Sequence, residues 1–248
     1  MELKQFFMEH PKVAIAFSGG VDSAYLLYAA TQAGADVKAY YVKSAFQPQF
    51  ELDDAKALAE QLGVQMEVLP LDILCNSAVT ANPENRCYHC KKAIFQTILL
   101  AAKADGFDLL LDGTNASDDS LDRPGMKVLE ELSVRSPLRE CGLRKTEIRK
   151  LSKEAQLFTH DKPAYACLAT RIPTGEAITA EKLQRTEAAE TYLSGLDFRD
   201  FRVRSFGDAA KIQVTASDLP KILEQRDAIV KKLKQDYTSV LLDLEVRE

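Results

Sequence analysis

Four apolar residues, Ala14-Ile15-Ala16-Phe17, run straight into Ser18-Gly19-Gly20-Val21-Asp22-Ser23, and a helical apolar pattern at Ala24, Leu26, Leu27, Ala29 and Ala30 begins at once. A buried strand, a tight turn and a helix N-terminus therefore follow one another within about a dozen residues. Gly19 and Gly20 permit torsions and close approaches that a Cβ would block. The helix start offers unpaired N–H groups and the positive end of a dipole. With the hydroxyls of Ser18 and Ser23 added, the loop is built to hold a phosphate. The bland counterpart is a plain strand–turn–helix capped by Asp22 and Ser23. No lysine follows the glycines, so this is not the lysine-bearing phosphate loop of the GxxxxGK type.

The segments on either side repeat a strand–helix rhythm. A short amphipathic helix over 2–9 precedes a first strand, Lys12–Phe17. A second strand follows at Val37–Val42, then a helix from about Phe50 to Leu62 closed by Gly63, and a third strand, Val64–Leu69. A helix over Cys90–Ala104 leads to a strand, Phe107–Leu111, which ends in Asp112-Gly113-Thr114-Asn115. Arg123-Pro124-Gly125 and Ser136-Pro137-Leu138 read as loops, and Lys145–Ala155 as a helix. Such an order calls for an α/β fold, a doubly wound parallel sheet with ligand at the C-terminal ends of its strands. Beyond an aperiodic stretch come a helix (Ala180–Ser194), strands at Phe201–Ser205 and Ala210–Val214, a helix (Leu219–Leu233) and a last strand (Val240–Leu244). The expected organisation is a first domain over 1–160, a linker over 161–177 and a smaller α+β domain over 178–248.

Composition bears on partners. A net charge of −5 over 248 residues argues against binding nucleic acid through the overall field. No apolar run approaches the ~20 residues needed to span a bilayer, and the N-terminus lacks a signal-peptide pattern, which points to the cytoplasm. The five cysteines, an odd number, read as metal or redox chemistry rather than a disulfide framework.

Three groups of residues carry candidate chemistry. In the first, Ser18, Gly19, Gly20, Val21, Asp22 and Ser23 bind phosphate. Magnesium is expected with polyphosphate, and Asp22 is either its ligand through water or a helix cap. Asp112, Gly113 and Thr114 end a neighbouring strand and face the same crevice, as does Ser44 past the second strand. The second group is Cys87-Tyr88-His89-Cys90 before a helix, with Cys167 farther on. A Cys-x-x-Cys pair serves redox, zinc or iron–sulfur chemistry. Three thiolates leave one metal position open, while His89 or His160 would close a structural zinc. Cys75 and Cys141 read as packing residues. In the third group, Arg202 and Arg204 share one face of a strand and make a clamp for carboxylate or phosphate, with Arg171 acting likewise and Glu190 on the preceding helix. Its counterpart is a solvated face with surface ion pairs.

The SGGVDS hexapeptide resembles the PP-loop signature of ATP pyrophosphatases, which implies that ATP is cut between its α and β phosphates. Ser44 then lies where an adenosine would rest. Taken with DGTN at 112–115, RPG at 123–125, SPL at 136–138, RIPTGEAIT at 171–179 and FRVR at 201–204, nearly the whole chain resembles the LarE family of ATP-dependent sulfur transferases. The resemblance implies adenylation of a carboxylate of pyridinium-3,5-biscarboxylic acid mononucleotide. Sulfur then displaces AMP to give a thiocarboxylate, the precursor of the nickel-pincer nucleotide. It assigns Arg202 and Arg204 to the substrate and Glu190 to the family's acidic position, and it implies a homo-oligomer. One version of the family sacrifices a cysteine as sulfur donor; another holds a [4Fe–4S] cluster on three cysteines and takes sulfide or sulfur from a donor. Cys87 and Cys90 are present, and Ala166 stands where the sacrificial cysteine would align, which favours a cluster on Cys87, Cys90 and Cys167. Lys221 stands where an acid is expected, against a family metal contact there. The competing readings are sacrifice of Cys167, a tRNA thiolase, a PP-loop amidotransferase or synthetase, and a non-catalytic ATP sensor or iron–sulfur carrier.

Overall fold

A computed structural model of the chain describes residues 2–118 and 123–247, the side chains of 123 and 124 excepted. In chain order α1 (Leu3–Glu9), β1 (Lys12–Ala16), α2 (Val21–Gln32), β2 (Asp36–Lys43), α3 (Gln49–Gln61) and β3 (Met66–Pro70) alternate as the hydrophobic pattern requires. A single-turn helix, α4 (Ser77–Thr80), precedes the long α5 (Arg86–Ala104) and the two-residue β4 (Leu110–Leu111). Then come α6 (Arg123–Glu131), α7 (Pro137–Glu140) and α8 (Lys145–Glu154). The remainder comprises α9 (Ala180–Ser194), β5 (Phe201–Phe206), β6 (Ala209–Val214), α10 (Leu219–Glu224), α11 (Arg226–Leu233) and β7 (Ser239–Leu242). The chain divides into two compact units: residues 1–73 with 85–165, and residues 74–84 with 166–248.

The first unit is built on a four-stranded sheet of order β3-β2-β1-β4, parallel throughout. Alternation along each strand feeds two cores. Val13, Ile15, Ala39 and Tyr41 join α1, α2, α3 and α8 on one face. Ala14, Tyr40 and Val42 join α5 and α6 on the other. The chain winds outward from β1 to β3 and then returns to place β4 on the opposite side of β1. That reversal is a topological switch point, where a doubly wound sheet opens a crevice at its strand ends. The second unit has a three-stranded sheet, β5-β6-β7, with β5 and β6 antiparallel and β6 and β7 parallel. Its core joins Leu193 and Ala189 of α9 to Val203, Ile212, Ile222 and Ile229.

Several local expectations are corrected. The strand expected over Phe107–Leu111 pairs with β1 only at Leu110 and Leu111, because Gly106 (φ +78°) and the bond from Phe107 N–H to the Ala102 carbonyl still close the end of α5. The helix expected from Cys90 begins at Arg86, so both cysteines lie on it rather than before it. Arg123-Pro124-Gly125 opens α6, and Pro137-Leu138 opens α7 with proline in the first turn, where its missing N–H costs nothing. Of the RPG stretch, the Arg123 and Pro124 side chains lie outside the described residues. The helix expected over Leu219–Leu233 breaks at Gln225 (φ −97°, ψ 6°) into α10 and α11. Among the described residues no helix is long and apolar enough to cross a membrane.

Candidate active site

In the first unit the parallel sheet brings the loops after β1, β2 and β4 to one edge. The loop after β1 is drawn tight by its own hydroxyls. Ser23 Oγ donates to the Gly20 carbonyl (3.1 Å), stands 3.0 Å from Ser18 Oγ, and is approached by the Ser18 N–H (3.3 Å). Gly19 takes φ +72°, and a Cβ there would stand 3.0 Å from that of Ala55 on α3. Val21 and Asp22 form the first turn of α2, directing its free N–H groups to the mouth of the loop. Across the switch point, Gly113 permits the closest approach in the site: a Cβ there would stand 2.9 Å from the backbone nitrogen of Ser23.

Asp112 is buried and accepts bonds from the hydroxyls of Ser136 and Thr114, with its own N–H on the Arg135 carbonyl (2.9 Å). Burial raises its carboxyl pKa, opposed by those hydroxyl bonds and the charge of Lys91. Ser44 is also buried; its hydroxyl donates to Gln47 Oε1 (2.7 Å) and accepts from the Phe46 N–H (3.2 Å), closing the turn after β2. Burial likewise raises the pKa of Asp22, against an ion pair with Lys145 at the start of α8. Its second oxygen, Oδ1, is buried without a hydrogen-bond partner. Lys145 was not singled out by sequence reading, although a signal exists. Helix α8 opens with Arg144 and Lys145, cations at the positive end of a dipole, where acids are normally favoured.

The second unit holds the arginines. Arg171, 1% exposed, donates from Nε to Glu190 Oε1 (2.7 Å) and from a terminal nitrogen to Oε2 (3.2 Å). Glu190, 4% exposed, also accepts from the Val203 N–H (2.9 Å), so it locks α9 to β5. Arg171 is therefore engaged by Glu190 rather than presented to solvent. Arg202 donates to the Phe201 carbonyl (2.6 Å), and Arg204 to the Thr170 carbonyl (3.0 Å). Arg247 bonds Asp200 (2.6 Å), a second residue that sequence reading passed over. Burial first, then the charges of Arg171 and Arg247, lowers the pKa of Arg202 to about 10 and pulls that of Arg204 down as well. This is a region held electropositive, suited to a carboxylate or phosphate. Lys221 lies apart from it, donating to the Asp197 carbonyl (2.9 Å).

The cysteines are divided between the units. Cys87 is exposed and Cys90 half-buried, one turn apart at the start of α5, with an Arg86 nitrogen 3.7 Å from Cys87 Sγ. Cys167 is half-buried at the head of a short 3-10 turn, Leu168–Arg171, its carbonyl accepting from Thr170 N–H (3.0 Å) and Oγ1 (2.8 Å). No disulfide joins any of the five cysteines. Among the described residues no group of three His, Cys, Asp or Glu stands where it would hold a metal ion. Cys75, expected to pack, is exposed, and Cys141 is half-buried with its thiol pKa raised by burial.

A parallel doubly wound sheet with SGGVDS at its switch point defines a PP-loop protein, and similarity to known proteins agrees. The family model described as queuosine biosynthesis protein QueC matches residues 12–94. An uncharacterized protein of Synechocystis is 38% identical over 98% of this chain and 92% of its own length. Pyridinium-3,5-bisthiocarboxylic acid mononucleotide synthase of Lactiplantibacillus plantarum is 33% identical over 94% of this chain and 86% of its own. A tRNA-specific 2-thiouridylase of Thermotoga maritima is 28% identical over 48% of this chain and 40% of its own. Aligned over 94% of its length with that synthase, at 33% identity, the chain belongs to the LarE family of ATP-dependent sulfurtransferases.

Proposed function

We propose that the enzyme adenylates a carboxylate of pyridinium-3,5-biscarboxylic acid mononucleotide with ATP, releasing pyrophosphate, and then replaces AMP by sulfur to leave a thiocarboxylate on the path to the nickel-pincer nucleotide. The observation that carries this reading is the similarity, over 94% of the chain, to the Lactiplantibacillus plantarum synthase, joined to the candidate phosphate loop at the switch point. The chemistry balances: a carboxylate oxygen attacks the α-phosphorus and pyrophosphate leaves, then a sulfur nucleophile attacks the acyl carbon and AMP leaves with the oxygen. Ser18, Gly19, Gly20, Val21 and Ser23 hold the polyphosphate. The unpaired Oδ1 of Asp22 fits the magnesium that accompanies ATP. Ser44, Asp112, Gly113 and Thr114 line the nucleotide crevice. Arg202 and Arg204 hold the acidic mononucleotide, and Glu190, through Arg171 and the Val203 N–H, sets the position of their strand.

In the same reading Cys87, Cys90 and Cys167 would hold a [4Fe–4S] cluster, which would supply the sulfur nucleophile. A thiol outside any disulfide at each of the three positions supports it. A second reading is sacrifice of Cys167, half-buried and outside any disulfide, as sulfur donor. Anaerobic purification with iron and sulfide analysis separates them. The first expects iron and sulfide in the wild type and neither after Cys87→Ser. The second expects a colourless protein that transfers sulfur once and loses the mass of hydrogen sulfide at Cys167. Formation of AMP, pyrophosphate and thiocarboxylate in equal amounts tests the reaction itself. Sedimentation tests the expected homo-oligomer.

A further inference from the structure

Asn82 is a fully buried amide in the second unit, and it joins two parts of the chain that lie ninety residues apart. Its side-chain nitrogen donates to the carbonyls of Ile172 (3.3 Å) and Pro173 (2.7 Å), and its own carbonyl accepts from the Gly175 N–H (2.9 Å). Two residues back, the Thr80 carbonyl accepts from the Ile178 N–H (2.8 Å), so the two segments run together. Asn82 takes φ +54°, a left-handed torsion that asparagine tolerates better than most side chains, and Pro83 restricts the step that follows. On the other side of the staple, Ile172 closes the turn that begins at Cys167. The Ile172 N–H donates to the Ala169 carbonyl (3.3 Å), and Thr170 donates to the Cys167 carbonyl from both its N–H and its hydroxyl. The Thr170 carbonyl in turn accepts from Arg204 (3.0 Å), and its hydroxyl from Arg171 (2.7 Å). The staple therefore belongs to the same network as the arginine strand.

The place of Asn82 in the sequence gives the staple its use. Cys87 stands five residues after Asn82, and Cys167 five residues before Ile172. Chain length alone keeps each of these two cysteines within about 17 Å of the stapled backbone. We propose that Asn82 is a positioning residue for sulfur delivery. It fixes the register between the segment that enters Cys87 and Cys90 and the turn that carries Cys167, so that thiols from two distant stretches serve one sulfur centre. The inference rests on the three-thiol reading above and adds a residue to it. Chemistry shared by several thiols needs them at set separations, whether they hold iron or exchange sulfur. An amide supplies two N–H groups from one nitrogen, and here that nitrogen serves two backbone carbonyls. Neither a carboxylate nor an aliphatic side chain can do this. Without those donors the Ile172 and Pro173 carbonyls each lose a partner inside the protein, and the register between the segments loosens.

Cross-linking of the metal-free, full-length protein tests this. The reduced protein is treated anaerobically with dibromobimane, a short bifunctional thiol reagent, and the linked cysteines are mapped by mass spectrometry. Wild type is expected to give a link from Cys167 to Cys87 or Cys90, beside the link between Cys87 and Cys90, which lie one turn apart on α5. Asn82→Gly keeps the left-handed torsion and removes the amide. It is expected to lower the links to Cys167 about fivefold or more, while the Cys87–Cys90 link holds within about twofold. Asn82→Asp, of the same shape with an oxygen in place of the nitrogen, is expected to match Asn82→Gly. An Asn82 that only stabilised the fold would lower every link together or leave every link unchanged. Either result overturns the proposal, as does a wild type without any link to Cys167. Where Asn82→Gly does not fold, Asn82→Ser, which retains one donor, decides: an intermediate yield supports the staple and a wild-type yield counts against it. Iron and sulfide analysis separates this inference from the reading it rests on. Iron bound equally by wild type and Asn82→Gly would overturn the inference alone. Links to Cys167 that vanish in Asn82→Gly, from a protein that neither binds iron nor makes thiocarboxylate, would remove the proposed reaction and leave the role of Asn82 standing.

Discussion

The candidate phosphate loop of the first unit and the arginine strand of the second would favour an anion by opposite means. The loop uses backbone N–H groups, two hydroxyls and a helix end, all within six consecutive residues, and its nearest charges are Asp22 and Lys145. The strand uses side chains drawn from Arg171, Glu190, Arg202, Arg204 and Arg247, which lie far apart in the chain. Backbone dipoles are fixed by the fold and carry no net charge to desolvate. Guanidiniums must be gathered and buried against their own repulsion, and the depressed pKa of Arg202 records that cost. The loop is therefore robust to loss of a single side chain, whereas the strand depends on one.

That residue is Glu190. Removing it by Glu190→Ala leaves Arg171, 1% exposed, without its carboxylate and the Val203 N–H without its acceptor. The expected loss is about 3–5 kcal/mol, read as a lower denaturant midpoint with loss of the second unit's structure. Ser23→Ala in the loop is expected to cost only ~1 kcal/mol. Comparable losses from the two substitutions would erase the contrast. The next largest effect belongs to Gly113→Ala, whose Cβ meets the backbone of Ser23 at 2.9 Å and forces β4 and α2 apart. A loss of about 1–3 kcal/mol is expected, with weakened ATP binding and unchanged affinity for the mononucleotide. Third is Arg204→Ala, expected to raise the mononucleotide concentration needed for half-maximal rate about tenfold while ATP binding holds. A shift in both substrates would mean that the strand and the loop are not separable.

The same contrast explains what the sequence made legible. Strand, turn and helix were readable around 14–30 because apolar run, glycines and helical period lie next to one another there. The paired glycines and hydroxyls also marked the turn as a candidate phosphate loop. Arg171 was legible as a charge but not as the buried partner of Glu190, nineteen positions farther on, since nothing in the intervening sequence signals that α9 turns back onto the segment. Lys145 and Arg247 were passed over for the same reason: their relevance arises from what folding brings to them. Element limits failed where tertiary pairing or capping overrides local pattern, as at β4, which begins late because the close of α5 still holds Phe107, and at α5, which starts a turn early and carries Cys87.

The smallest effect concerns pH, and it isolates the guanidiniums from the loop. Burial brings the pKa of Arg202 down to about 10 in the folded protein, well below the ordinary guanidinium value, so between the two the unfolded chain holds more protons than the native one. Stability then rises with pH across that window as the native state sheds the charge it holds at a cost; below about 10 the cost is fully present. Anion binding runs the other way, since a bound carboxylate or phosphate favours the protonated guanidinium. Mononucleotide affinity is therefore expected to be unaffected by Arg202 between about pH 7 and 9, and to fall as pH climbs through about 10, by no more than about tenfold per unit. In Arg202→Met the fall should vanish, overall affinity should be lower, and the thermal midpoint near neutrality should rise, because the buried charge is gone. Pyrophosphate affinity, measured in parallel, should show no component that depends on Arg202. If it does, the two anion sites share their electrostatics.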